Sequence, residues 1–107
     1  MEKKLPSAYR QFATEHPKLI GAYEAVSEAS LGEGPLPLKT AELVKIGIAV
    51  GARLEGAVHS HVKRALDAGA TPAEIRHAVR LAITTVGFPT MMAALSWTND
   101  VLAPEKG

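Results

Sequence analysis

The chain has 107 residues, with 12 Lys+Arg against 11 Asp+Glu and a formal net charge of +1. That length fits one domain, and the charge balance excludes nucleic-acid binding driven by a basic surface. Cysteine is absent, so disulfides, thiolate nucleophiles, zinc–thiolate sites and iron–sulfur clusters are excluded as well.

The pattern reads as helices throughout. Only 5% of residues are aromatic, and no segment alternates apolar and polar residues as a half-buried strand does. A short helix fits Ser7 to Glu15. A second starts at Pro17, a favourable first helical residue, and runs to about Ser30 with Leu19, Ile20, Tyr23 and Val26 at helical spacing. Gly32-Glu33-Gly34-Pro35-Leu36-Pro37 is a loop. A third helix, about Leu38 to Val50, is apolar on nearly every side beyond its first turn, which predicts burial inside the domain or between subunits.

Gly51-Ala52-Arg53 connects to a fourth helix, about Leu54 to Ala68, with Gly69 in the position that favours a left-handed residue. Thr71-Pro72-Ala73-Glu74 spells a capping box, and the fifth helix is expected to reach Thr85. Gly87-Phe88-Pro89 breaks the pattern before a sixth helix, about Thr90 to Val101, which carries Met91, Met92, Leu95 and Trp97 around its girth. Short loops from the third helix onward predict antiparallel neighbours. Helices three and six are too apolar for so small a chain to cover, so self-association is expected.

The longest apolar run, Ile46 to Ala52, falls well short of the roughly 20 residues that cross a bilayer. The first residues lack the apolar core of a secretory signal, so a cytoplasmic protein without membrane or nucleic-acid partners is the expectation.

Four polar residues are candidates for chemistry. Glu42 lies one turn into helix three, on the face of Leu38, Ile46 and Ala49. A carboxylate withdrawn from water there is a candidate general acid or base. Its structural alternative is a dipole-favoured carboxylate with Lys39 and Lys45 as ion-pair partners. His61 falls in the apolar stripe of Leu54, Val58, Val62 and Ala65 and is the side chain best suited to proton transfer near neutral pH. The alternative is a buried histidine satisfied by a carbonyl.

Counting about 1.5 Å per residue puts Glu42 about 14 Å and His61 about 11 Å from the connecting turn, so the two should meet across helices three and four, beside a small cavity. His59 points some 200° away from His61, next to Glu55, so the two histidines cannot share a metal; no metal or cofactor is expected. His59 and Arg53 are the candidate substrate-binding groups. His77 shares the polar side of helix five with Arg76 and Arg80 and reads as solvated or interfacial, and His16 as a cap or loop residue.

LKTAELVKIGIAV, then LEGAVHSHVKRALDAGATPAEIRHAV, then the Gly-Phe-Pro break and a last helix resemble the carboxymuconolactone decarboxylase, or AhpD-like, family. The likeness covers Leu38 to Leu102, with residues 1–37 as N-terminal helices of a single domain. In the peroxidase-type branch a Glu on one helix precedes C-x-x-C-x-x-x-H on the next. Set against that motif, Glu42 and His61 stand at the proton-relay positions, and Leu54 and Ala57 replace the two cysteines.

The resemblance thus implies the branch without redox sulfur. It implies an all-α fold in a ring-like homotrimer or homohexamer, and a cofactor-free enzyme acting on a small carboxylated lactone or related carboxylic acid. Glu42 and His61 would move protons and Arg53 would hold a carboxylate. The alternative is a non-catalytic oligomeric binding or scaffold protein that keeps the fold.

Overall fold

The computed structural model describes residues 7–104. The order is α1 (Ser7–Glu15), α2 (Pro17–Gly32), α3 (Leu38–Gly51), α4 (Glu55–Asp67), α5 (Pro72–Arg80), a single 3₁₀ turn (Leu81–Thr84) and α6 (Phe88–Asn99). There is no strand among the described residues, so the fold is all-α as expected.

The chain divides into two compact units, one through Pro35 and one from Leu36. In the first, α1 and α2 pack together, and neither helix contains a buried residue. Leu19, Tyr23 and Val26, the stripe of α2, all stay exposed.

The second unit holds the core. Ile46, Ala49 and Val50 of α3 meet Val58, Val62 and Ala65 of α4, with Ile75 and Val79 of α5 and Ala94 of α6 closing around them. Burying side chains of this size contributes about 1.5–3 kcal/mol for each of the larger ones. The pair α3–α4 makes the most extensive helix–helix contact.

Two turns flank α4. Helix α4 ends as the sequence predicts. Gly69 takes φ +96°, its N–H donates to the Leu66 carbonyl, and Ala70 N–H donates to the Ala65 carbonyl, with both alanines buried. The end of α3 has the same form with a different residue in the left-handed place. Arg53, not Gly51, has φ +57°, and Leu54 N–H donates to the Ala49 carbonyl. A non-glycine residue in that region costs about 1–2 kcal/mol. Arg53 Nη1 donates to Thr90 Oγ1 at 2.6 Å, so the strained turn is tied to α6.

Helix α5 stops at Arg80, earlier than the pattern predicts. The β-branched run Ile83-Thr84-Thr85-Val86 resists continued helix. The N–H groups of Thr85, Val86 and Gly87 all converge on the Ala82 carbonyl, and the Thr85 hydroxyl donates to the same oxygen. Helix α6 begins at Phe88, because Pro89 is tolerated in a first turn and Gly87 supplies φ +100° before it.

The capping box of α5 is complete. Thr71 Oγ1 accepts from Glu74 N–H at 3.0 Å, and Glu74 Oε1 accepts from Thr71 N–H at 2.9 Å. Lys39 Nζ donates to Glu74 Oε2 at 3.2 Å, linking α3 to α5. The Thr71 N–H first, and then the Lys39 ammonium, hold the Glu74 carboxyl below its ordinary value of 4.5. A carboxyl lowered in the folded state binds fewer protons than in the unfolded state, so its contribution is complete above about pH 4.5 and is lost as pH falls through the folded value. Glu74→Gln is therefore expected to lower stability at neutral pH, and the gap to the parent protein should close on acidification. Urea unfolding of both proteins across that pH range measures it, and a gap constant with pH contradicts the account.

Candidate functional site

Helix α3 is apolar on most sides, yet Glu42 lies on its core face with only 3% of its side chain exposed. An ionised carboxylate at such a position needs a charged or strongly donating partner. It has one: His61 Nδ1 lies 2.8 Å from Glu42 Oε1. The imidazole is 23% exposed, so the pair runs from the interior to the surface, carboxylate inside and ring outside. The short turn at 52–54 makes α4 return along α3 and brings two residues nineteen apart to the same depth.

When the carboxylate is ionised it only accepts, and the hydrogen between Nδ1 and Oε1 then belongs to the histidine. In the neutral ring Nε2 then carries the free lone pair, and no described residue hydrogen-bonds to it. Lys39, one of the two expected ion-pair partners of Glu42, reaches Glu74 instead.

The other candidates lie elsewhere. His59 turns to the far side of α4, where its Nε2 lies 2.9 Å from Asp100 Oδ2 at the end of α6. Arg53 stays at the α3–α4 turn with Thr90. Neither joins Glu42 and His61. His77 is exposed, as read, but Arg76 is buried, contrary to its placement on the polar side of α5. Its Nε donates to Asn99 Oδ1 at 3.2 Å and its Nη2 to the Ala103 carbonyl at 2.6 Å, so it anchors the chain beyond α6. A single buried arginine on a short amphipathic helix has no periodicity of its own, so sequence alone does not flag it.

A cleft of about 540 Å³ opens between α3, α5 and the 3₁₀ turn, lined by Leu43, Val44, Leu81 and Val86 with Glu74 and His77. A second of about 340 Å³ lies by Arg76 and Arg80. Neither is lined by Glu42 or His61, so the small cavity expected beside the pair is not one of these two.

A sequence profile of the carboxymuconolactone decarboxylase family matches residues 17–100. The chain belongs to this family. The match starts at α2, so the family region is longer than the Leu38–Leu102 stretch that carried the resemblance.

A carboxymuconolactone decarboxylase family protein of Legionella pneumophila, solved in its apo form, superposes with a TM-score of 0.75 at 25% identity. The alignment covers 87% of this chain and 83% of that one. An uncharacterized protein of Haemophilus influenzae is 33% identical over 58 residues, which are 54% of this chain and 51% of its own. The chain thus spans about half the length of that relative. Family membership without any cysteine removes the sulfur chemistry, because Leu54 and Ala57 carry no thiol.

The burial gradient sets an order of cost. His61→Ala leaves a buried carboxylate without its partner and is expected to lower stability by about 3–5 kcal/mol. Glu42→Gln keeps the volume and an acceptor oxygen, at about 1 kcal/mol. Chemical denaturation of the two variants tests the order, and a larger loss for Glu42→Gln contradicts it.

Proposed function

We propose that this protein is a cofactor-free acid/base enzyme of its family, acting on a small carboxylated lactone or related carboxylic acid. The observation that supports this most is the 2.8 Å contact between a buried Glu42 and a surface-reaching His61. Glu42 orients the imidazole and compensates the positive charge that forms when Nε2 takes a proton. His61 is the group that meets substrate. As CO₂ leaves, the bond between the substrate carboxylate and the neighbouring carbon breaks and its electron pair passes into an enolate, to which the Nε2–H of protonated His61 delivers a proton. Glu42 is the positioning residue. The chemistry rests on this pair, since His59 and Arg53 are engaged away from it.

The second reading is a non-catalytic oligomeric scaffold in which the pair only ties α3 to α4. The two clefts that miss both residues favour it.

Assays of ring opening and CO₂ release over a panel of carboxylated lactones separate the readings. On the catalytic reading His61→Ala lowers turnover at least about 100-fold. Glu42→Gln lowers kcat with little change in KM. Turnover that survives His61→Ala overturns it, and a folded parent protein inert across the panel leaves the scaffold.

Self-association belongs to the same proposal. Val44, Ile48, Leu81, Phe88 and Met92 are exposed on the second unit, and Ile48 is 65% exposed in the last turn of α3. Apolar surface on this scale marks an interface. A trimeric or hexameric ring of identical chains covers it. Light scattering at micromolar concentration is expected to give several times the 11.3 kDa chain mass. A stable monomer of that mass contradicts the assembly.

A further inference from the structure

Helix α4 carries a second cluster that the Glu42–His61 pair does not use. Glu55 and His59 are one turn apart on one face of α4, and Asp100 follows the last residue of α6. One ligand atom from each of the three lies within 4.8 Å of the others. We infer that Glu55, His59 and Asp100 form a binding site for a single divalent first-row transition cation of the zinc, cobalt or nickel type.

Three observations carry this. First, His59 Nε2 and Asp100 Oδ2 are 2.9 Å apart, close to the edge of about 3.0–3.4 Å that two donors span around a cation with bonds of about 2.1 Å. The cation takes the place of the proton between them. Second, Glu55 is exposed and pairs with no described residue, so its long side chain is free to close the remaining gap. Third, the donor set is one imidazole and two carboxylates. The nitrogen ligand selects transition cations over calcium and magnesium, which prefer oxygen alone.

His59 is 29% exposed and Asp100 57%, so three protein ligands leave open positions for water. Bound there, the ion cross-links the first turn of α4 to the end of α6. His59 and His61 diverge, and the cluster forms instead through Asp100, 41 residues from His59 in sequence.

Isothermal titration of the full chain with zinc chloride or cobalt chloride tests the site. The parent protein is expected to bind about one ion per chain with micromolar affinity, and His59→Ala to weaken it at least about tenfold. Asp100→Asn, which keeps the shape of the side chain, should weaken it as well. His77→Ala, on the exposed side of α5, should leave it unchanged. In NMR spectra cobalt should perturb residues around 55–59 and 99–101 most strongly. Absence of saturable binding overturns the site, as does parent-like affinity in Asp100→Asn and His59→Ala, or perturbation centred on His16 or His77. These readouts do not depend on turnover, so they stand or fall separately from the acid/base proposal.

Discussion

A carboxylate inside an apolar helix pair is the constraint on which the second unit turns. The core face of α3 is otherwise Ile46, Ala49 and Val50, and Glu42 interrupts it. Burying that charge alone would cost more than the surrounding side chains could offset. His61 must therefore sit opposite, and only one register of α4 against α3 puts it there. Shifting α4 by one residue rotates its side chains by about 100° and leaves the carboxylate facing an apolar neighbour. The polar contact contributes modest net stability, yet it selects one alignment among several that hydrophobic burial alone would accept.

The turn between the two helices serves the same alignment. A left-handed Arg53 costs more than a glycine would, and Gly51 stands only two residues earlier. The bond from Arg53 to Thr90 gives that position a reason. It fastens the turn to α6, the helix whose other end carries Asp100 beside His59. Helix α6 is thus held at both ends by polar contacts to the α3–α4 hairpin, while Ala94 packs between them in the core.

These elements differ in how far the sequence reveals them. The helices are legible because caps and breakers are local: Thr71 to Glu74, Gly69, Pro89. The meeting of Glu42 and His61 is legible because it joins adjacent helices across a three-residue turn, where counting fixes depth. Arg76–Asn99 and His59–Asp100 are not, since the first crosses the 3₁₀ turn between α5 and α6, the second joins residues 41 apart, and both depend on angles that no periodicity encodes. The early end of α5 lies between these cases. Its β-branched run is visible, but helix and 3₁₀ turn share nearly the same hydrophobic spacing over four residues. Lys39 shows a further kind of miss. Helical spacing offers it Glu42 at i+3, and the fold offers it Glu74 across the α3–α5 contact. The tertiary partner prevails because Glu42 points inward, beyond the reach of a side chain that stays near water.

The two histidines of α4 show how one helix can place two rings in different surroundings. They are two residues apart, so their side chains diverge by about 200°. One faces α3 and a buried carboxylate; the other faces the end of α6 and an exposed one. The difference in burial decides what each can do. His61 backs onto Glu42, with 3% of that side chain exposed, so its Nδ1 faces the interior and its Nε2 faces outward. His59 backs onto Asp100, which water reaches freely, so the contact between them can open and admit a third group. A buried partner holds one ring in place, and an exposed partner leaves the other ring open to solvent. The sequence Val58-His59-Ser60-His61-Val62 holds both possibilities within five residues, and the buried valines at either end keep the two rings on their separate faces.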